Sequence, residues 1–140
     1  MTVSVNKFRK MKRIVIILIS SLLGLLILGY IAIYILIDID VKKNIKTAKA
    51  RYSGNAEDAL ISYLLDTTNT TQNRTRIAIY SLGQIQSKKA IPILENLYKN
   101  DPEGKTCYRK HDSVLCQYEI HKALNASKAN WWPMHSRLNK

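Results

Sequence analysis

The residues best suited to chemistry are two cysteines and two histidines that lie close together in the chain, Cys107, His111, Cys116 and His121. Thiolates and imidazoles are good zinc ligands, but the spacing Cys-x3-His-x4-Cys-x4-His is not that of a known zinc finger. Two cysteines nine positions apart in a domain outside the cytoplasm are more typical of a disulfide. We therefore predict a Cys107–Cys116 disulfide and no bound metal, with a zinc site and free thiols as the alternatives.

A catalytic site is not predicted. His111, His121 and His135 have no serine or aspartate partner in a familiar arrangement. The sequence also lacks a Gly-x-Ser-x-Gly motif, a phosphate-binding loop and a paired-carboxylate motif. We expect a protein that is not an enzyme and that needs no cofactor.

Two groups of residues are candidates for binding a partner. Lys105, Arg109 and Lys110 make the segment between the cysteines and its approach basic, as a contact for phosphate-rich or carboxylate-rich molecules or simply as a solvated loop. Trp131 and Trp132 suit either a membrane interface or a cap over the last helices. The whole chain has a net charge of +12, but we do not expect nucleic acid to be a specific partner.

A long apolar run, residues 14–37, precedes all of these residues. Its 24 residues carry no charge, and a helix of that length spans about 36 Å, enough to cross a hydrocarbon core of about 30 Å. The apolar region of a cleaved signal peptide is shorter and ends in a site of small residues, which this run lacks. We therefore predict an uncleaved transmembrane anchor.

Charges on the two sides of the run predict its orientation. Residues 1–13 form a basic tail with five lysines and arginines, whereas Asp38 and Asp40 follow the run directly. Basic residues next to a membrane helix favour the cytoplasmic side. We expect a single-pass protein whose N-terminus is cytoplasmic and whose remaining residues form an extracytoplasmic domain.

The remainder of the chain has the apolar spacing of helices throughout, so the predicted fold class is all-α. A juxtamembrane amphipathic helix is expected in residues 38–54, with one apolar face. Four further helices are predicted at 55–66, 72–86, 88–100 and 117–128, with Asn55 and Ser87 as N-caps. We expect a turn at residues 101–104.

These four helices form two related pairs. The apolar pattern of the first pair recurs 34 positions later in its first helix and 42 positions later in its second, so eight residues are inserted next to the cysteines. Helix pairs that repeat at this period are typical of an α-solenoid. The insertion places Cys107 and Cys116 between the helices of the second pair.

Residues 74–94, RTRIAIYSLGQIQSKKAIPIL, resemble a HEAT repeat, most closely the short variety found in bilin lyases. The shared features are a basic residue, then Ala, Ser-Leu-Gly-x-Ile, a short turn and Ala-Ile-Pro-x-Leu. The resemblance implies two HEAT-like hairpins in residues 55–128, followed by a tail, 129–140. The small residues Ser81 and Gly83 are expected where helices cross closely. Asn125 and Ser127, which replace Gly83 and Ile85 in the second copy, are expected to weaken its inner face.

Members of this family are mostly binding scaffolds, so the resemblance implies a membrane-anchored adaptor that binds another protein. Two alternatives remain open. The positive charge of the domain suits an anionic envelope or lipid surface. The apolar run, with Gly24 and Gly29, suits a small accessory subunit that contacts its complex inside the bilayer.

Overall fold

The computed structural model describes residues 3–107 and 113–128, with side chains from position 13 onward except that of Ile14. The regular structure in these ranges is entirely helical. The chain divides into two compact units, one up to Ile37 and one from Asp38 onward.

The first helix, α1, runs from Val3 to Lys49 without a break. It is the one helix in the described residues that is long and apolar enough to cross a membrane, and it lies near the N-terminus. Its large apolar side chains are exposed, for example Leu25 at 65%. We expected residues 1–13 to be too short to fold, but the helix begins inside them. Extending an existing helix adds one hydrogen bond per residue without a new nucleation cost.

Helix α1 ends at Lys49, earlier than the expected end at Ser53-Gly54, and a short turn follows. Gly54 has a φ of +111°, a conformation that suits glycine. Asn55 then caps helix α2, Ala56–Leu65, by accepting a 2.8 Å hydrogen bond from the backbone N–H of Asp58. The predicted cap is thus in place, and α2 matches the predicted helix 55–66 within one residue at each end.

The next helical stretch has three consecutive parts: α3, Thr71–Asn73; a π-helical segment, Arg74–Ile79; and α4, Tyr80–Gln84. We call residues 71–84 the middle helix. It is shorter at its C-terminal end than the predicted helix 72–86 because Gln86 has a φ of 52°, which is incompatible with a continuing α-helix. The π-helical part has no signature that apolar spacing could reveal.

Helix α5, Ile91–Leu97, follows the turn that contains Ser87. The Ser87 hydroxyl accepts a 3.0 Å hydrogen bond from the N–H of Ala90. The N-cap residue of α5 is nevertheless Ala90 and not Ser87 as predicted, because α5 starts later and covers only the central part of the predicted helix 88–100. A 3-10 turn, Lys105–Cys107, precedes helix α6, Gln117–Lys128, whose bounds agree with the prediction. The predicted turn at 101–104 is present, closed by a bond from the N–H of Gly104 to the carbonyl of Asp101.

From α2 onward, α2 packs on the middle helix, α5 packs on α6, and α4 packs on α6. A Cβ atom built on Gly83 would lie 2.8 Å from Cα of Ala123, so this crossing depends on glycine. The core consists of completely buried apolar side chains from every helix of the domain: Val41, Ala48, Ala59, Leu60, Leu64, Ala78, Ile79, Leu82, Ala90, Leu94 and Ile120.

The part of α1 after Asp38 belongs to this core. Val41 and Ala48 are completely buried, and Asn44 donates a 3.1 Å hydrogen bond to the hydroxyl of Ser81. At the other end, Ser127 is completely buried but Asn125 is exposed. The expectation that Asn125 weakens the inner face of the last helix is therefore wrong, because helical spacing turns it away from the core face that Ser127 shares with Ala123.

Candidate functional site

The two cysteines lie together, with their Cα atoms 5.0 Å apart and their sulfur atoms at disulfide-bonding distance. Both residues are buried. Gly104, with a φ of +68°, leads into the 3-10 turn that carries Cys107, and a Cβ atom there would lie 2.8 Å from Cβ of Tyr118. The glycine therefore allows the turn to approach α6 closely beside the cysteine pair. A disulfide is consistent with an oxidising compartment.

The alternative zinc site is not assembled in the part of the chain that the structure describes. There, no three His, Cys, Asp or Glu side chains converge as metal ligands would. The ring of His121 stacks on Tyr98 at a centroid distance of 5.5 Å, and its Nε2 lies 3.0 Å from the side-chain amide nitrogen of Asn125. His111 and His135 lie outside the described residues.

Of the predicted binding residues, the structure describes Lys105 alone; Arg109, Lys110, Trp131 and Trp132 lie outside the described ranges. The Lys105 side chain is exposed, and its ammonium forms a 2.8 Å ion pair with Glu103. Because both side chains are exposed, this pair adds little stability. The described residues therefore do not bring the predicted basic site together.

A groove of about 380 Å³ lies between the domain part of α1, the middle helix and α6. The residues that line it are Asp40, Gln72, Thr75, Arg76, Tyr80 and Glu119. Partial burial raises the pKa of the Tyr80 phenol, and the carboxylates of Asp40 and Glu119 raise it further. Tyr80 is therefore a neutral phenol at physiological pH, with a half-buried ring and acidic groups of two other helices near it.

A second groove, of about 320 Å³, shares Tyr80 and Glu119 with the first and continues along α4 and α6. Its other lining residues are Gln84, Lys122, Ala123, Asn125 and Ala126. Glu119 and Lys122 form an ion pair of 3.3 Å on its wall. We call the two grooves together the Tyr80 groove. Of the lining residues, the aromatic Tyr80 and Arg76 belong to the types that are enriched where protein surfaces bind partners.

Sequence reasoning missed this groove. Arg76, Tyr80 and Gln84 are spaced by four residues, so they share one face of a helix, and that spacing was a usable signal. This spacing was overlooked because the apolar residues on the adjacent face already accounted for the helical pattern of the segment. Glu119 carries no comparable signal, because its position beside Tyr80 depends on how α6 packs.

A polar network fixes the end of the juxtamembrane part against the loop that follows α2. Tyr52 donates a 2.6 Å hydrogen bond to Asp66, and the amide of Asn69 donates to the Tyr52 oxygen at 2.9 Å. Arg51 donates to the Asn69 side-chain oxygen at 2.7 Å. The hydrogen bond from Tyr52 and those from Thr68 lower the pKa of Asp66 to about 2. This network attaches the turn after α1 to the loop after α2.

No family model, curated protein or solved structure matches this chain.

Proposed function

We propose that the chain is a non-enzymatic adaptor that is anchored by one membrane helix and binds another protein through the Tyr80 groove. In this proposal the N-terminus is cytoplasmic and the domain lies outside the cytoplasmic membrane. The observation that carries the proposal is the groove itself, an elongated surface that follows α4 and α6 and has a half-buried tyrosine at its centre.

The HEAT-like interpretation belongs to the same proposal. The helix pairs, the close crossing at Gly83 and Ala123, and Pro92 in the first turn of α5 all support it. In a solenoid the second helices of successive pairs line one face, and such faces bind extended partners. The middle helix and α6 are the second helices of their pairs, and both line the Tyr80 groove.

A photocrosslinking experiment tests the proposed binding face in native membranes. A photoreactive phenylalanine analogue at Gln84 samples the groove, and the same analogue at Leu65 samples an exposed position on α2 that does not line it. We expect one discrete protein adduct from Gln84, none from Leu65, and loss of the Gln84 adduct in Tyr80→Ala. Adducts of equal yield from both positions would contradict a specific binding face.

The orientation is tested separately. A variant with Cys107 and Cys116 replaced by serine and one probe cysteine at Asn96, exposed on α5, is treated with a membrane-impermeant maleimide. Labelling in intact cells agrees with an extracytoplasmic domain. Labelling only after lysis would show that the domain lies in the cytoplasm, opposite to the proposed orientation.

A second candidate function, binding to an anionic envelope or lipid surface, is favoured by one observation. Lys43, Lys46 and Lys49 are exposed on α1 at the start of the domain. Such binding weakens steeply as salt is added, whereas binding in a partly apolar groove depends less on salt. If the domain loses its binding to an anionic surface at moderate salt but keeps it in Tyr80→Ala, this candidate is favoured.

The third candidate, an accessory subunit that acts in the bilayer, is supported by the exposed apolar surface of α1. In the described part of the chain, a Cβ atom built on Gly24 or Gly29 would meet no atom within 4 Å beyond the neighbouring backbone of its own helix. Replacing residues 14–37 by an unrelated membrane helix separates it from the adaptor. The adaptor keeps its partner after that exchange, and the accessory subunit does not.

A further inference from the structure

A third cavity lies on another side of the domain and shares no lining residue with the Tyr80 groove. Its volume is about 370 Å³, and it is formed where the middle helix begins, α5 ends and α6 begins. The lining residues are Thr71, Arg74, Leu97, Lys99, Thr106, Ser113, Val114, Leu115 and Gln117. We call it the Arg74 cavity.

Among the described residues that line this cavity, the two charged ones, Arg74 and Lys99, are both cationic. The Nε atom of Arg74 donates a 2.6 Å hydrogen bond to the carbonyl of Leu64, which fixes the half-buried guanidinium group. That bond uses one of the five N–H groups of arginine, and guanidinium groups bind carboxylates and phosphates through such groups. Lys99 is exposed, and its backbone N–H is held by the side-chain oxygen of Gln117 at 2.6 Å. A fixed guanidinium group and an exposed lysine on the walls of one cavity favour the binding of an anion.

Asp101, an acidic residue of the adjoining loop that the structure describes, is bonded within its own turn. The carboxylate of Asp101 accepts hydrogen bonds from the N–H of Lys105 at 3.0 Å and from the N–H and hydroxyl of Thr106 at 2.8 and 2.7 Å. These bonds keep it in its own turn, and Asp101 does not line the cavity. Among the residues that the structure describes, no carboxylate lines the cavity beside Arg74 and Lys99.

The rest of the wall selects for more than charge. Leu97, Val114 and Leu115 supply an aliphatic surface, and none of the three is fully exposed. Thr71 and Ser113 place hydroxyl groups on the same wall. An anion with a short apolar group would therefore gain from burial as well as from charge.

We propose that the Arg74 cavity binds a phosphate or carboxylate group that carries a short apolar chain. The guanidinium group and the Lys99 ammonium bind the oxyanion, and the aliphatic wall holds the chain. This proposal does not depend on the adaptor function, because the Tyr80 groove has different residues and a different charge pattern.

The test uses the full chain in a neutral detergent and follows backbone amide signals by nuclear magnetic resonance. The probes are butyl phosphate, butyrate and butanol. We expect saturable shifts of the Lys99, Thr106 and Gln117 signals with at least one of the two anions and none with butanol. Equal shifts with butanol, or no saturable shifts with either anion, would overturn the proposal.

Two variants of equal charge show whether the anionic probes bind in the cavity. Lys99→Gln removes a cation that lines the cavity, and Lys105→Gln removes an exposed cation nearby that does not. We expect the dissociation constant to rise at least fivefold in Lys99→Gln and less than twofold in Lys105→Gln. Equal weakening in both variants would mean attraction by net charge alone and would overturn the site.

Two sources of such an anion are distinguished in lipid nanodiscs. If phosphatidylglycerol, but not phosphatidylcholine, shifts the same three signals without an added probe, the ligand is a lipid headgroup. If neither lipid shifts them and butyl phosphate or butyrate still does, the ligand is a soluble molecule. Shifts of equal size with both lipids would contradict recognition of an anion.

Discussion

The phenol of Tyr52 donates a 2.6 Å hydrogen bond to the carboxylate of Asp66, 14 positions further along the chain. The bond joins the turn after α1 to the loop after α2. The ring of Tyr52 also meets the ring of Tyr63 edge-on, with centroids 5.8 Å apart. The juxtamembrane part is therefore attached to the helix pairs by an apolar face and a polar network together.

The first prediction concerns the pH dependence of this contact. The pKa of Asp66 is lowered from 3.8 to about 2, so its contribution to stability is present above pH 3.8 and is lost as the pH falls through 2. The pKa of Tyr52 is raised from 10.0, chiefly by its hydrogen bond to Asp66, so that contribution is present below pH 10 and is lost at higher pH. Tyr52→Phe should lower the melting temperature by a constant amount between about pH 5 and 9.

The measurement is the melting temperature of the fragment 38–140 as a function of pH, with and without the substitution. The difference between the two proteins should narrow below about pH 4, where Asp66 begins to take up a proton in the unfolded chain. Tyr118→Phe, at an exposed tyrosine of α6, is the matched control and should have little effect. A difference that stays constant down to pH 2 would show that the carboxylate is not part of the contact.

The second prediction concerns the juxtamembrane part as a cap of the domain. Removing residues 38–52 exposes the core that Val41 and Ala48 cover and breaks the bond between Asn44 and Ser81. Exposure of this apolar surface alone should lower the free energy of unfolding by about 2–3 kcal/mol. The fragment 53–140 should therefore melt clearly below the fragment 38–140. Val41→Ala should reproduce part of the loss and Lys43→Ala none, and equal melting of the two fragments would disprove the capping role.

The third prediction concerns the close crossing of α4 and α6. In Gly83→Ala the new Cβ atom would lie 2.8 Å from Cα and 3.1 Å from Cβ of Ala123. Alanine is the better helix former by about 1 kcal/mol, but overpacking costs about 1–3 kcal/mol, so the net effect should be destabilising. Chemical denaturation of the fragment 38–140 measures it, with the exposed Asn96→Ala as control. A stabilised Gly83→Ala variant would mean that the helices cross elsewhere.

The fourth prediction concerns the cysteines. The pair closes a loop across nine positions, and a disulfide of that loop length stabilises a domain by about 2–3 kcal/mol, mainly by restricting the unfolded chain. Reduction should therefore lower the melting temperature of the fragment 38–140, and Cys107→Ser together with Cys116→Ser should lower it equally. If zinc copurified with the protein in stoichiometric amounts and the thiols were free, the cysteines would form a metal site and not a disulfide.

Much of the helical order follows from local sequence signals. The Asn55 cap and the bounds of α2 and α6 depend on interactions within a few residues, and sequence patterns report these directly. The predicted closeness of the cysteines came from their separation and the expected compartment. The late start of α5 and the π-helical segment of the middle helix were not predicted, because both depend on packing between helices.

The binding surfaces were harder to predict than the helices. Interpretation of the sequence relied on clusters of similar residues, such as the lysines and arginines near Cys107 and the paired tryptophans. The Tyr80 groove combines Asp40, Tyr80 and Glu119 from three helices, and the Arg74 cavity combines Arg74 of the middle helix with Lys99 after α5. Such sites have no short motif, because helix packing and not chain order brings their residues together.

The most direct measurement of the adaptor proposal is the affinity of the full chain in membranes for the protein crosslinked through Gln84. Tyr80→Ala should weaken that affinity at least tenfold, about 1.4 kcal/mol, because a half-buried tyrosine at the centre of a groove is a typical hot spot. Tyr118→Ala, on α6 but outside the groove, should leave it unchanged. Wild-type affinity in Tyr80→Ala, with an unaltered melting temperature, would contradict the proposal that this groove binds the partner.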